Sequence, residues 1–280
     1  MNILNLCDLD LGSSDELLIK KISKCEETEN RKFDCCFVGS YFCSRYFTYL
    51  SDYCLKKIRN LITEKNLKLV LVIPIFSQAT LDSGKSAINK FVETLGDSIL
   101  YISVNDFGML DWISNNTIFP ISLGRILANE TRDFRYEELR IRSTKPKIMD
   151  GMINVLLKKY PRIAYIEFDN IFMPEAISSI EIDGLSKVLH YPYVYQSVGH
   201  ICAYANIFSN RNDVFNSNVK CKYDCTRNII KHYQDNKWVI RVGRAVYYKQ
   251  ELSVEFDMNT NLAYWPIELW SLDYENFSAS

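Results

Sequence analysis

The segment Leu67 to Phe76 (LKLVLVIPIF) constrains the fold most, because its length and apolarity fit a strand buried on both faces. Such strands belong to parallel sheets covered by helices, so helical patterns should alternate with further strands. They do. Ile3 to Leu6 and Phe33 to Val38 read as strands, Tyr49 to Thr63 as an amphipathic helix, Ala87 to Leu95 as the next helix and Ser98 to Val104 as a strand. Met109 to Ser114 reads as a short helix, Thr117 to Leu123 as a strand, and Met149 to Lys159 as a helix closed by Pro161. Ile163 to Phe168 and Lys187 to Tyr195 read as two more strands.

This rhythm predicts an α/β fold, a TIM-barrel-like (β/α) barrel, complete or open. Apolar and polar residues alternate from Trp238 to Phe256, which predicts antiparallel β-structure there. We expect one domain over residues 1–280, with 238–280 as a closing or capping segment. At 280 residues and 48% hydrophobic content the chain can bury a full core, and no linker rich in Pro, Gly or Ser divides it. The dense, alternating charges from Glu130 to Pro146 read as a solvated helix or loop, with a lid or partner surface as the alternative. The apolar stretch Tyr264 to Trp270 should either pack on the barrel or face a partner.

A net charge of −1 provides no general attraction to phosphate backbones, so nucleic acid is not an expected partner. The N-terminus lacks a basic stretch followed by a long apolar one, and no run of about 18 apolar residues occurs, so no membrane association is expected. The expected location is the cytoplasm.

Nine cysteines of irregular spacing argue against a disulfide framework. Cys7, Cys35 and Cys36 lie in apolar runs, Cys54 in a helical pattern and Cys25 in a charged loop; these read as plain thiols. Cys43 follows Val38-Gly39-Ser40-Tyr41-Phe42, and Cys202, Cys221 and Cys225 cluster downstream. Thiolates are soft anionic ligands, so four brought to one point would hold an iron–sulfur cluster or a zinc ion. Cys221 and Cys225 form a C-x3-C unit after the Asn-, Ser- and Asp-rich residues Asn210 to Asn218, but one helical turn gives the same spacing. On the residues alone, a metal site and incidental thiols both stay open.

The order of several short segments resembles the U32 peptidase-like family, and within it the short iron–sulfur branch of oxygen-independent ubiquinone hydroxylation. The carriers are Val38-Gly39-x3-Cys43-Ser44-Arg45, Asn105-Asp106-Phe107-Gly108, and Phe119-Pro120-Ile121-Ser122-Leu123-Gly124 before Arg125. After them come the strand ending at His190, Ser197-Val198-Gly199-His200-Ile201-Cys202, and finally Cys221 and Cys225. The resemblance implies a barrel with one [4Fe-4S] cluster on Cys43, Cys202, Cys221 and Cys225, with zinc as the runner-up occupant. It further implies hydroxylation of an aromatic or nucleobase substrate without molecular oxygen, in several relatives as an obligate pair. The chain departs from the family at His190-Tyr191-Pro192, where many members have His-Gly, at His200-Ile201, and in a longer gap from Cys202 to Cys221. These departures imply a divergent substrate, within ubiquinone synthesis or in a specialised pathway.

The candidate catalytic residues are His190 and His200, since an ordinary histidine with a pKa near neutral can relay protons, and Asp169, which follows an apolar strand. Arg125, Asn105 and Asp106 hold the same strand-end position, and Arg125 would clamp a substrate carboxylate in a bidentate manner. Tyr193, in Tyr191-Pro192-Tyr193-Val194-Tyr195, would stack on a planar substrate. Capping, ion pairing and ordinary strand packing are the alternatives for all of these. His232 falls on a helical pattern and reads as surface. The expected partners are a small aromatic or carboxylate-bearing substrate and a homologous protein in a heterodimer. A hydrolase lacks sequence support, with no G-x-S-x-G or H-E-x-x-H. A non-catalytic scaffold subunit is the other reading.

Overall fold

The computed structural model describes residues 1–127, 132–136, 148, 151–171, 182, 184–199, 201–206, 221–250, 252 and 260–271. The first half alternates β1 (Asn2–Asn5), α1 (Asp15–Glu29), β2 (Cys35–Gly39), α2 (Ser44–Tyr53), α3 (Leu55–Glu64), β3 (Lys68–Ile73), α4 (Leu81–Leu95), β4 (Ile99–Val104), α5 (Phe107–Asn116) and β5 (Ile121–Leu123). There follow α6 (Met152–Lys159), β6 (Ile163–Asp169), β7 (Ser186–Tyr191), β8 (Tyr193–Val198) and the short α7 (Ala203–Asn206). The described elements end with β9 (Ile230–Gln234), β10 (Lys237–Val242), β11 (Ala245–Lys249), β12 (Thr260–Tyr264) and α8 (Ile267–Ser271).

Eight parallel strands close a barrel in the order β1, β2, β3, β4, β5, β6, β7, β12. The (β/α) barrel expected from the alternation is therefore complete. In β3 every residue after Lys68 is buried, as a strand walled by the lumen on one side and helices on the other requires. Outside the barrel, Phe47 of α2 meets Phe91 of α4 with ring centroids 5.2 Å apart. Inside it, Phe37 of β2 packs against Tyr101 of β4 at 6.2 Å, and Tyr101 stacks on Tyr165 of β6 at 3.9 Å.

The expected antiparallel structure forms a second, four-stranded sheet in the order β8-β11-β10-β9. It is inserted between the seventh and eighth barrel strands, and β12 returns to pair with both β7 and β1. The chain enters this sheet through the cis Tyr191–Pro192 bond. The apolar stretch from Tyr264 packs on the barrel: Trp265, Ile267 and Trp270 are buried, and the indole nitrogens of Trp265 and Trp270 donate to the carbonyls of Cys7 and Asp10 at 3.1 Å each.

Several local expectations are corrected. Asp15–Glu29, not singled out as a helix in the sequence, forms α1, so Cys25 lies buried on a helix and not in a loop. Tyr49 to Thr63 is two helices meeting at Cys54, whose ψ of −7° interrupts the helical path. The expected strand Lys187 to Tyr195 is likewise two strands in different sheets, parted at Pro192. His232 belongs to β9, where it pairs with Val239, because cross-strand partners fix the backbone more strongly than a short run of helical spacing.

Candidate functional site

At the carboxyl end of β2, Gly39 has φ +132°, and a Cβ there would overlap the Val72 carbonyl oxygen, so only glycine lets β2 turn this close to β3. That turn aims Ser40, Tyr41 and Cys43 at the barrel mouth. Ser40 Oγ accepts from the Cys43 backbone N–H at 2.8 Å and donates to Asp8. Gly124 has the same role after β5, where a Cβ would overlap Asn105.

The upper lumen holds two linked polar groups. In the first, Glu167 of β6 takes hydrogen bonds from Ser122 at 2.8 Å, His190 Nε2 at 2.9 Å and Tyr41 at 3.2 Å, all buried. Burial works to raise the Glu167 carboxyl, but these hydrogen bonds and the neighbouring His190 outweigh it and hold it below the usual range. Burial, followed by the charge of Arg125, lowers His190 to about 4. At neutral pH the pair is therefore carboxylate and neutral imidazole, which requires His190 Nε2 to carry the proton it donates. His190 Nδ1 then presents a lone pair with no hydrogen-bond partner among the described residues, in a fully buried position.

In the second group, Asp169 lies between two arginines, contacting Arg125 through one oxygen and Arg132 Nε at 2.8 Å through the other. Arg125 also donates to the Tyr193 carbonyl at 3.1 Å, and Arg132 lies 4.1 Å from the Tyr195 ring centroid. Two carboxylates and two guanidiniums thus balance in charge. The charged stretch expected to be solvated places at least Arg132 inside, because its charge is paired and stacked there.

Asp106 caps α5, accepting from the Met109 backbone N–H at 2.8 Å, and Asn105 donates to the Ile73 carbonyl at 3.0 Å. Both thus hold strand ends and helix starts in place. Tyr193 is buried edge-on to Trp265, with ring centroids 5.8 Å apart. His200 lies outside the described residues.

The four singled-out cysteines come from three places on the mouth. Cys43 is the N-cap of α2 and its Sγ accepts from the Tyr46 backbone N–H at 3.4 Å; Cys221 Sγ accepts likewise from Tyr223 at 3.4 Å. Cys225 lies in a 3-10 turn at Asp224–Thr226, tied to the loop after β1 by a bond of 3.2 Å from Asp10 N–H to the Thr226 carbonyl. Cys202 precedes α7, which is anchored by Tyr204 donating to the Arg241 carbonyl at 2.6 Å. Burial first, and then Cys43, Cys202, Asp8 and Cys221, raise the Cys225 thiol; burial pushes Cys43 up to about 12, with Asp8 and Cys221 adding to it. Among the described residues no group of three or more His, Cys, Asp or Glu side chains forms a ready-made metal site, so the thiols are gathered without being closed on a point.

A cation bound near such thiols would offset the repulsion between their thiolate forms. Arg45 and Arg244 and the backbone N–H donors favour the charged form locally. Asp8, held in the left-handed region at φ 62°, is raised to about 6 by burial against the hydrogen bond from Ser40.

Glu167, Tyr41, Ser122, Arg132 and Asp8 were not identified from the sequence. Glu167 alone left a signal there, as a charged residue inside the apolar run Ile163 to Phe168. Comparison of this chain with protein families, with curated proteins and with solved structures finds no match.

Proposed function

We propose that this protein is a U32-like iron–sulfur barrel in which Cys43, Cys202, Cys221 and Cys225 hold a [4Fe-4S] cluster. It would take part in oxygen-independent hydroxylation, or a related redox tailoring, of a small aromatic or carboxylate-bearing substrate, alone or with a homologous partner. What supports this reading is that Cys43, at the N-cap of α2, and Cys225, in the turn that the Asp10 N–H ties to the loop after β1 at 3.2 Å, share the carboxyl end of the barrel, where such folds place their chemistry. The cluster would supply one-electron redox capacity at the mouth. Beneath it, Glu167 fixes the tautomer of His190 and leaves Nδ1 as a proton acceptor shielded from bulk water. Arg125 and Arg132 hold their positive charge within the mouth, where Asp169 pairs with both and offsets one of the two charges.

A second reading is favoured by the same lumen. Because Asp169 is already occupied by two arginines, the barrel also fits a non-catalytic subunit that positions the cluster for a partner. Anaerobic purification with iron and sulfide assays tests the shared core of both. A brown protein absorbing at about 400 nm with about four irons per chain supports it, and Cys225→Ala should abolish the colour. A folded, colourless protein without iron removes both readings, and one zinc ion per chain substitutes a structural metal for the redox centre.

A further inference from the structure

The inserted sheet has two unlike edges. At one, β8 is fastened to the barrel, with the Tyr193 carbonyl accepting from Arg125 at 3.1 Å. At the other, β9 (Ile-Lys-His-Tyr-Gln) pairs with β10 alone, and every residue but the half-buried His232 is exposed. The turn residues Asp235 and Asn236 both take positive φ, 48° and 63°, the type I′ geometry that closes a hairpin on a hydrogen-bonded Gln234–Lys237 pair. Bonding pairs alternate along an antiparallel ladder, so His232 and Gln234 bond inward to β10, while the N–H and C=O groups of Lys231 and Tyr233 point outward. The Tyr204 hydroxyl bridges the next inward pair, accepting from the Ile230 N–H at 3.0 Å and donating to the Arg241 carbonyl at 2.6 Å, in keeping with that alternation. Among the described residues the outward backbone groups of Lys231 and Tyr233 have no hydrogen-bond partner.

Natural sheets blunt such edges with proline, bulges or charge. β9 has no proline and no bulge against β10, and its one lysine, Lys231, reaches toward Glu268 at 3.5 Å. Beside the open edge, Tyr233 and Trp238 are each 60% exposed, with ring centroids 5.4 Å apart. An open ladder next to exposed aromatic rings is a template for one more strand.

We infer that β9 is the pairing strand of a homodimer: β9 of a second copy lies antiparallel to it about a twofold axis at His232 and joins the two four-stranded sheets into one. The strand is self-complementary in this register. Ile230 faces Gln234 of the second copy, Lys231 faces Tyr233, His232 faces its own counterpart, and no two ammonium groups or carboxylates are opposed. Lys231 and Tyr233 become the bonding pairs and His232 the non-bonding one, so the outward N–H and C=O groups are all satisfied. A register centred on Lys231 opposes two ammonium groups, and one centred on Tyr233 drives the turn residues Asp235 and Asn236 against the strand. At His232 the stem of each Lys231 also covers the exposed Tyr233 ring of the other copy. None of the thiols takes part, so this pairing holds whether or not the mouth binds a metal.

Sedimentation velocity of the full chain over a dilution series should show particles of two chains that separate as the protein is diluted. His232→Glu and His232→Lys each set two like charges against one another at the axis and should weaken the dimer by about tenfold, while an equimolar mixture of the two variants regains it as a mixed pair. Tyr233→Pro, which removes an outward N–H and spares the bonds to β10, should weaken it as well, with the circular dichroism of wild type retained. In wild type the Lys231 and Tyr233 amides should exchange slowly with solvent in the dimer and rapidly on dilution. A chain that stays single at every concentration, or a dimer that neither the His232 variants nor Tyr233→Pro weaken, overturns the inference. Slow exchange of those two amides in a single chain assigns the edge to another segment of the same chain and overturns it too.

Discussion

The polar groups inside the barrel and the thiols at its mouth are both clusters of titratable side chains, yet they are balanced in opposite ways. In the lumen each carboxylate has its own partners: Glu167 receives Ser122, His190 and Tyr41, and Asp169 receives Arg125 and Arg132. At the mouth burial is what chiefly raises Cys43 and Cys225, with smaller additions from Asp8 and the neighbouring thiols. A low-dielectric interior tolerates charge that is locally neutralised and drives an unneutralised group to stay protonated. The carboxylates of the lumen are thus held charged by their partners, whereas burial holds the mouth thiols Cys43 and Cys225 in their neutral form.

Breaking the lumen's balance should have the largest effect. Asp169→Ala leaves two buried guanidiniums without their carboxylate and should cost roughly 3 to 5 kcal/mol, read as a lower urea midpoint. If the midpoint hardly moves, the lumen is not the closed unit described.

Acidification should act next. His190 sits at about 4 in the fold against an ordinary value near 6.5, so below about pH 6.5 the unfolded chain takes up a proton that the folded chain refuses. Stability should accordingly fall as pH drops from about 6.5 toward 4, by up to roughly 3 kcal/mol at the acid end. Asp8, raised to about 6, acts in the opposite direction, losing stability as pH rises through 4 to 6. The difference between wild type and His190→Asn cancels the Asp8 contribution, and a pH-independent difference would contradict the neutral imidazole.

The mouth should respond to metal where the lumen does not. Iron or zinc at about a hundred times its dissociation constant should raise the unfolding free energy by roughly 2.7 kcal/mol in wild type and leave Cys225→Ala unmoved. Equal stabilisation of both proteins would place the metal elsewhere. The smallest effect is expected at Asp106: removing the α5 cap in Asp106→Ala should cost about 1 kcal/mol and leave metal uptake intact. A loss of uptake would return Asp106 to the functional site.

The barrel was legible because strands buried on two faces must be apolar along their whole length, as Leu69 to Ile73 is. Of the inserted sheet, β10 and β11 were legible through their alternation, but β8, β9 and the sheet's place between β7 and β12 were not, since periodicity carries no information about which strand a segment pairs with. Helix α1 was hidden because charge dilutes its apolar face. Among the site residues, Asn105 and Asp106 were legible only as strand-end polar residues; whether such a residue caps a helix or faces a ligand depends on what the next element brings to it.

By itself the sequence determined the alternation of elements, the closed apolar core and the identity of the soft ligands available, because period and side-chain chemistry are local properties. Tertiary structure alone decided that Glu167 meets His190, that Asp169 is shared by Arg125 and Arg132, and that thiols from three distant segments come within electrostatic reach. Those pairings follow from strand register and barrel closure, which bring together side chains far apart in the chain, and electrostatic energy depends on that distance through space and not on separation along the sequence.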